Sequence, residues 1–236
     1  PAEWIPAYLL HKVVDRFSKA NLRAVLPNGF SDFWNDFIGL MLKHHNPTWE
    51  FFPSQVQAIV AGLLSEQTFA VQMPTGSGKT TLCEVLLYHQ VKRSPVGVSV
   101  LLVPSRSLAS ELKGSLVRRL NSIKIKTKCV YGGTVPSIEE THGILETRVI
   151  VATPEAFSGL VGSDNSLLDR IALVICDEGH LLDQPVRGIA LELLLARLKA
   201  RGAGSPRFVF ISAIVPNIEE IASWLGGQGS SIVRSD

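Results

Sequence analysis

Along most of this chain, apolar residues fall into short unbroken runs separated by segments of helical periodicity. The runs at 69–73, 99–103, 126–130, 148–152, 172–176 and 208–212 have the length and composition of strands, and 231–234 is a possible seventh. Helical segments lie between most of them. One begins at a capping box formed by Ser54 and Gln57 and continues to Leu64. Another, at 189–198, is apolar nearly all round and is expected to be deeply buried. Regular β-α alternation predicts an α/β fold with a mainly parallel sheet covered on both faces.

The first 48 residues follow a different pattern. Leu9, Leu10, Val13, Val14 and Phe17 recur at helical spacing within 8–26. A turn at Pro27-Asn28-Gly29 follows, then a second amphipathic helix over 33–42. Its stripe of Phe33, Trp34, Phe37, Ile38, Met41 and Leu42 reads as packing surface, and His44-His45 as a helix end without metal-ligand spacing. The expected division is a helical segment at 1–48, suited to docking a partner, and one α/β domain at 49–236.

Composition narrows this picture only slightly. With 236 residues and 46% hydrophobic content, the chain can bury a large core, and disorder is not expected. The net charge of +2 is uninformative, but it is unevenly spread: residues 106–128 carry +6 and the remainder −4. Lys124, Lys126 and Lys128 alternate with Ile125 and Thr127, which puts three ammonium groups on one strand face. That face either guards a sheet edge or meets phosphates. Cys83, Cys129 and Cys176 sit singly inside predicted core elements, as buried thiols do in the cytoplasm or another reducing compartment. No run of 18 apolar residues or signal peptide appears, so no membrane partner is expected.

Two polar interruptions carry the chemistry. Pro74-Thr75-Gly76-Ser77-Gly78-Lys79-Thr80 lies between a strand-like run and the helical stretch that begins Leu82-Cys83-Glu84. A glycine-rich turn in that position lets backbone N–H groups converge on an anion at a helix N-terminus. Lys79 is placed to reach terminal phosphates and Thr80 to hold Mg2+. Met73 occupies the position where the strict pattern has glycine. At the carboxyl end of the run at 172–176 come Asp177-Glu178-Gly179-His180, on the sheet edge where open α/β sheets bind ligands.

Other strand ends add Val103-Pro104-Ser105-Arg106, Ala152-Thr153-Pro154-Glu155 and Ser212-Ala213-Ile214. With these in order, residues 50–236 resemble the first RecA-like motor domain of superfamily 2 DExH/DEAD-box helicases, most nearly the large processive Ski-like branch. The resemblance implies a RecA-like P-loop NTPase three-layer sandwich that uses ATP and Mg2+. It implies nucleotide contacts from Gln55, which would read adenine, and from Thr75, Gly76, Ser77, Gly78, Lys79, Thr80 and Thr81. Thr80 and Asp177 would hold Mg2+, Glu178 would activate water, and His180, with Ser212, would link the γ-phosphate state to the domain interface. Single-stranded nucleic acid, DNA or RNA, would meet Pro104, Ser105, Arg106, Gly132, Gly133, Thr153, Pro154 and Glu155. Ser212, Ala213 and Ile214 would couple hydrolysis to motion, although Ile214 stands where the family has threonine and Gly179 is an uncommon choice. The group that completes hydrolysis would come from a second RecA-like domain beyond residue 236, so this stretch alone should turn over ATP weakly. An ATP-gated clamp that never unwinds is the alternative, motivated by Ile214, and a small-molecule kinase explains the cradle alone. Leu225-Gly226-Gly227-Gln228 is read as a helix end and turn, since it follows the acidic box.

Overall fold

The computed structural model describes residues 4–43, 47–64, 67–132, 146–163, 165–185, 187–213 and 217–234. All seven expected strands form: β1 (Phe69–Gln72), β2 (Val98–Leu102), β3 (Thr127–Val130), β4 (Val149–Ala152), β5 (Ile171–Cys176), β6 (Arg207–Ser212) and β7 (Ser231–Arg234). They make one sheet in the order β3-β4-β2-β5-β6-β1-β7, with every pairing parallel. Parallel pairing demands long crossovers, and the helices that supply them cover both faces. Strand periodicity then divides the interior in two. Phe69, Val71, Leu101, Val149 and Ile175 face one layer, while Val98, Val100, Leu102, Val174 and Phe210 face the other.

In chain order the helices are α1 (Trp4–Ala20), α2 (Leu22–Val25), α3 (Asn35–Leu42), α4 (Pro53–Leu64), α5 (Lys79–Arg93), α6 (Arg106–Leu112), α7 (Arg118–Ser122), α8 (Pro154–Ser163), α9 (Asn165–Arg170), α10 (Arg187–Lys199) and α11 (Ile218–Gly226). A π turn at Lys113–Val117 joins α6 to α7, and short 3-10 turns include Asp32–Trp34 and Gly179–Asp183. The helix expected at 8–26 begins earlier and breaks at Asn21, whose extended backbone lets its side chain cap Ala24 N–H. Asn21 also bridges to Glu50.

Residues 22–41 are part of the main core. Trp34, Phe37 and Met41 are fully buried in the same cluster as β1 and α5. Trp34 stacks on Tyr88 at 5.4 Å, Tyr88 donates its hydroxyl proton to the Phe33 carbonyl at 2.7 Å, and Lys92 pairs with Asp36 at 3.1 Å. The stripe at 33–42 is therefore packing surface, with the P-loop helix as its partner. By contrast, α1 buries none of its residues.

Several local expectations need correction. The helix expected from the Ser54–Gln57 box starts at Pro53, and it is Gln55 Oε1 that accepts the N–H of Phe52 at 2.8 Å. Proline suits that first position because its missing N–H would have no helical partner. α10 is one-sided rather than deeply buried: Leu191, Leu194, Leu195 and Leu198 enter the core, while Ile189 and Leu193 face solvent. Lys124 and Lys126 both lie outside β3, Lys124 in a left-handed turn (φ 64°), so of the three only Lys128 is on the strand. Lys126 pairs with Glu146 beside the edge strand β3. Cys83 and Cys176 are buried and Cys129 is partly so, all three as free thiols. The Gly226-Gly227 turn ends α11 as expected, with Gly227 at φ 66°. Gly133, Ile214 and the His44-His45 pair fall outside the described residues. Among those described, no helix is long and apolar enough to cross a membrane.

Candidate functional site

The carboxyl edge of the sheet sorts the candidate residues by strand order. At the ends of β3, β4 and β2 and in the segments that follow lie Gly132, Thr153 to Glu155, and Pro104 to Arg106; at those of β5, β6 and β1 lie the acidic box, Ser212 and the cradle. One half of the edge thus gathers the residues expected at a polymer and the other those expected at a nucleotide.

The cradle begins in the core. Met73 is fully buried and donates its N–H to the Ser212 carbonyl at 2.9 Å, so the loop is anchored to the neighbouring strand before it turns. Gly76 and Gly78 have φ of 82° and 81°, a left-handed backbone that only glycine adopts without strain. A Cβ on Gly78 would also come within 3.0 Å of Gln55 Nε2, which donates to the Gly78 carbonyl at 2.9 Å. Gln55 is therefore buried and locks the start of α4 to the cradle, with one donor and one acceptor valence left over. Ser77 is turned back onto the Pro74 carbonyl at 2.6 Å. Thr75 and Thr80 are exposed, and Thr81 donates its N–H to the Gly78 carbonyl at 3.0 Å.

Lys79 is the point of convergence. Its buried ammonium lies 3.0 Å from Glu178 Oε1, across 99 residues of sequence. The other Glu178 oxygen faces His180 Nδ1 at 3.3 Å. Glu178 itself adopts a left-handed backbone (φ 52°, ψ 50°), held by the bond from its N–H to Asp177 Oδ1 at 2.9 Å. For a residue other than glycine that conformation costs about 1–2 kcal/mol, and such strain gathers at functional sites. Gly179 has a packing reason: a Cβ there would come within 3.0 Å of the Phe210 ring on β6.

Burial and the neighbouring Glu178 charge push the Asp177 carboxyl up to about 6, with Lys79 pulling the other way. A buried carboxylate under that pressure is suited to a cation. Among the described residues no three His, Cys, Asp or Glu side chains cluster as a metal cage. Magnesium fits such a site, because it needs only one or two protein oxygens beside nucleotide phosphates. Ser212 Oγ, fully buried, has no hydrogen-bond partner among the described residues.

A cleft of about 360 Å³ opens beside the cradle, lined by Phe52, Pro53, Ser54, Gln57, Pro74, Gly76, Ser77 and Arg234. Phe52 presents an exposed ring and Arg234, at the end of β7, pairs with Glu219. In the sequence Gln57 reads only as a helix-capping residue, and Arg234 escapes the motif reading because nothing in its immediate sequence ties it to the loop it faces.

On the other half, hydroxyls expected at a polymer serve first as helix caps. Ser105 Oγ accepts Leu108 N–H at 3.2 Å and Thr153 Oγ1 accepts Ala156 N–H at 3.4 Å. Arg106 and Glu155 are exposed, Pro154 is buried, and Gly132 has φ 120°. Arg187, at the start of α10, donates to the Pro104 carbonyl and lies 3.5 Å from Glu155.

Comparison with known proteins gives the family and the fold. A family model described as DEAD/DEAH box helicase matches residues 52–221. The Hachiman protein HamB of Bacillus cereus is 33% identical over 229 residues, covering 96% of this chain and 20% of that protein. The ATP-dependent DNA helicase Hel308 of Aeropyrum pernix is 35% identical over 177 residues, covering 75% of this chain and 23% of that protein. The chain thus spans about a fifth to a quarter of these relatives' length. Among solved structures, the DEAD-box helicase Mss116 bound to ssRNA and UDP-BeF superposes with a TM-score of 0.74 at 17% identity, over 91% of this chain and 45% of that one. The DUF1998 helicase MrfA bound to DNA gives 0.66 at 21% identity, over 85% and 29%.

Proposed function

From a chain that belongs to the DEAD/DEAH box helicase family, with the RecA-like fold of its motor domains, we propose the first motor domain of an ATP-driven nucleic-acid helicase or translocase. The single observation that carries the reading is the meeting of Lys79 and Glu178 at 3.0 Å, which joins the phosphate cradle to the acidic box. ATP binding would draw Lys79 from Glu178 to the terminal phosphates. Glu178, freed on one oxygen and steadied by His180 on the other, would then orient and deprotonate a water. Thr80 and Asp177 would hold Mg2+, which supplies charge neutralisation for the phosphates. The base would enter the cleft beside Phe52, where the side chains of Gln57 and Arg234 offer polar contacts; Gln55, buried behind that lining, would have to turn outward to read adenine. Thr75, Gly76, Ser77, Gly78 and Thr81 would complete the cradle.

The polymer would lie across the loops after β2, β3 and β4, through Pro104, Ser105, Arg106, Gly132, Gly133, Thr153, Pro154 and Glu155. Backbone donors and hydroxyls there suit a single strand gripped by its phosphates, without base readout. DNA is the first polymer to test, because HamB's partial match is joined by several relatives named as DNA helicases. A second motor domain would supply the arginine finger, worth about 10³–10⁵ in rate, so residues 1–236 alone should hydrolyse slowly. The test is nucleotide binding, hydrolysis and displacement of a forked duplex by the full-length protein. Lys79→Ala should lose binding, while Glu178→Gln should keep it and lose about 10²–10⁴ in turnover. Wild-type turnover in Glu178→Gln would refute the assigned base, and ATP-dependent DNA binding without displacement would favour a clamp.

A further inference from the structure

Arg187 joins parts of the molecule that the motifs leave separate. It opens α10, thirteen residues long, which follows the 3-10 turn carrying His180. Its guanidinium donates to the Pro104 carbonyl after β2, and Nε lies 3.5 Å from Glu155 Oε1 after β4. One planar group therefore spans two of the loops to which polymer contacts are assigned above. A guanidinium can hold a carbonyl and a carboxylate in fixed relation; an ammonium, a point donor on a flexible stem, cannot.

The other end of this connection is stiff. Gly188 packs so closely on the 3-10 turn that a Cβ would come within 3.0 Å of both the Leu181 and Leu182 carbonyls. Its N–H donates to the Gln184 carbonyl at 2.8 Å. Backbone seated on backbone has no rotamer with which to yield, so a shift of the turn is passed to the start of α10. The same turn begins at Gly179, directly after Glu178, and carries the imidazole that faces the Glu178 carboxylate.

We propose that Arg187 is a positioning residue coupling the nucleotide state to the polymer-binding loops. When Lys79 leaves Glu178 for phosphate, the acidic turn resettles, Gly188 carries the displacement into α10, and Arg187 moves the Pro104 and Glu155 loops together. The proposal rests on the reading of those loops as polymer contacts.

The experiment uses the full-length protein as wild type, Arg187→Ala and Arg187→Lys. It measures ATP hydrolysis without DNA, hydrolysis with a saturating thymidine oligonucleotide, and oligonucleotide Kd with and without a non-hydrolysable ATP analogue. Arg187→Ala should hydrolyse ATP without DNA within about twofold of wild type, yet lose about tenfold in DNA stimulation, a coupling of ordinary size. Its Kd should become nearly independent of nucleotide. Arg187→Lys keeps the charge and guards against misfolding; it should still lose about threefold in stimulation, at the low end of what single substitutions do to a coupling. Unchanged stimulation in both variants overturns the proposal. So does an equal loss of DNA affinity in both nucleotide states with a salt slope reduced by about one phosphate, because Arg187 would then touch the polymer directly. A wild-type protein that neither binds nor responds to DNA refutes the parent reading of the loops instead.

Discussion

Glu84 is a buried acid one turn into the P-loop helix, and it makes the stability of this domain depend on pH. It is 1% exposed, and neither carboxyl oxygen has a hydrogen-bond partner among the described residues. The Arg119 guanidinium stands 3.1 Å away, but burial outweighs that attraction and pushes the carboxyl from an ordinary 4.5 up to about 7. Because the folded value is the higher one, the native state keeps a proton that the unfolded chain releases. The resulting stabilisation is complete below pH 4.5 and is lost as pH rises to about 7. At 1.36 kcal/mol per pKa unit the loss is about 3 kcal/mol, a large share of the roughly 5–15 kcal/mol typical of a domain. Glu84→Gln keeps the shape and removes the titration. Urea unfolding of wild type and variant between pH 4.5 and 8.5 isolates the effect, since Asp177 and the other groups titrate in both. The variant should gain about 3 kcal/mol relative to wild type between the two ends of that range. Parallel curves would refute the reasoning, and a relative gain by wild type would mean that the Arg119 ion pair outweighs burial.

Three further substitutions probe the packing around the site. Gly78→Ala places a Cβ against Gln55 at a φ of 81°; strain of about 1–2 kcal/mol and a lost hydrogen bond of about 1 kcal/mol should weaken fluorescent-ATP binding at least tenfold. Unaltered affinity would show that the Gln55 lock plays no part. Gly179→Ala should cost about 1–3 kcal/mol in thermal unfolding by forcing the Phe210 ring aside, and a second change, Phe210→Leu, should recover part of it. Strict additivity would separate the two sites. Trp34→Ala should lose about 3–5 kcal/mol in denaturant unfolding, with α5 reporting the same transition. A loss under about 1 kcal/mol would mean that this segment is not part of the cooperative core.

What could be read from the chain beforehand follows from the fold itself. Strands buried on both faces leave unbroken apolar runs, and the sheet places its ligands where each run stops, so Asp177, Ser212, Thr153 and Pro104 stood out one after another. Glu84 also left a signal, a lone acid within Leu82-Cys83-Glu84-Val85-Leu86-Leu87, which could have been recognised as a buried charge. Exposure was harder to read. Ile189 and Leu193 are as apolar as Leu191, but an outer helix layer touches the sheet with one side only, and on α10 they share the solvent side with Glu192 and Arg197. The capping register failed because Ser54 and Gln57 fit a local pattern, while the Gly78 carbonyl that holds Gln55 lies 23 residues away. Arg187, Arg234 and the Phe210–Gly179 contact depend likewise on which strands become neighbours.

The strand order explains why those distant contacts matter. β2 and β5 are adjacent, so the half of the edge proposed for a polymer and the half proposed for nucleotide meet at one pair of strands. Both carry their functional residues at the same level: Leu102 is in register with Cys176, and Asp177 N–H is bonded to the Leu102 carbonyl at 2.9 Å. A hydrogen-bonded strand pair transmits little sliding, because moving one strand along the other breaks the whole ladder. Motion between the halves must therefore pass through the loops above the sheet. Besides the Lys79–Glu178 pair, two connections leave the acidic box among the described residues: Gly179 against Phe210 reaches back to the strand that anchors the cradle, and Gly188 with Arg187 reaches forward to Pro104 and Glu155. Both depend on a glycine with no spare space. A response to nucleotide that survived alanine at Gly179 and Gly188 alike would have to travel through the sheet after all.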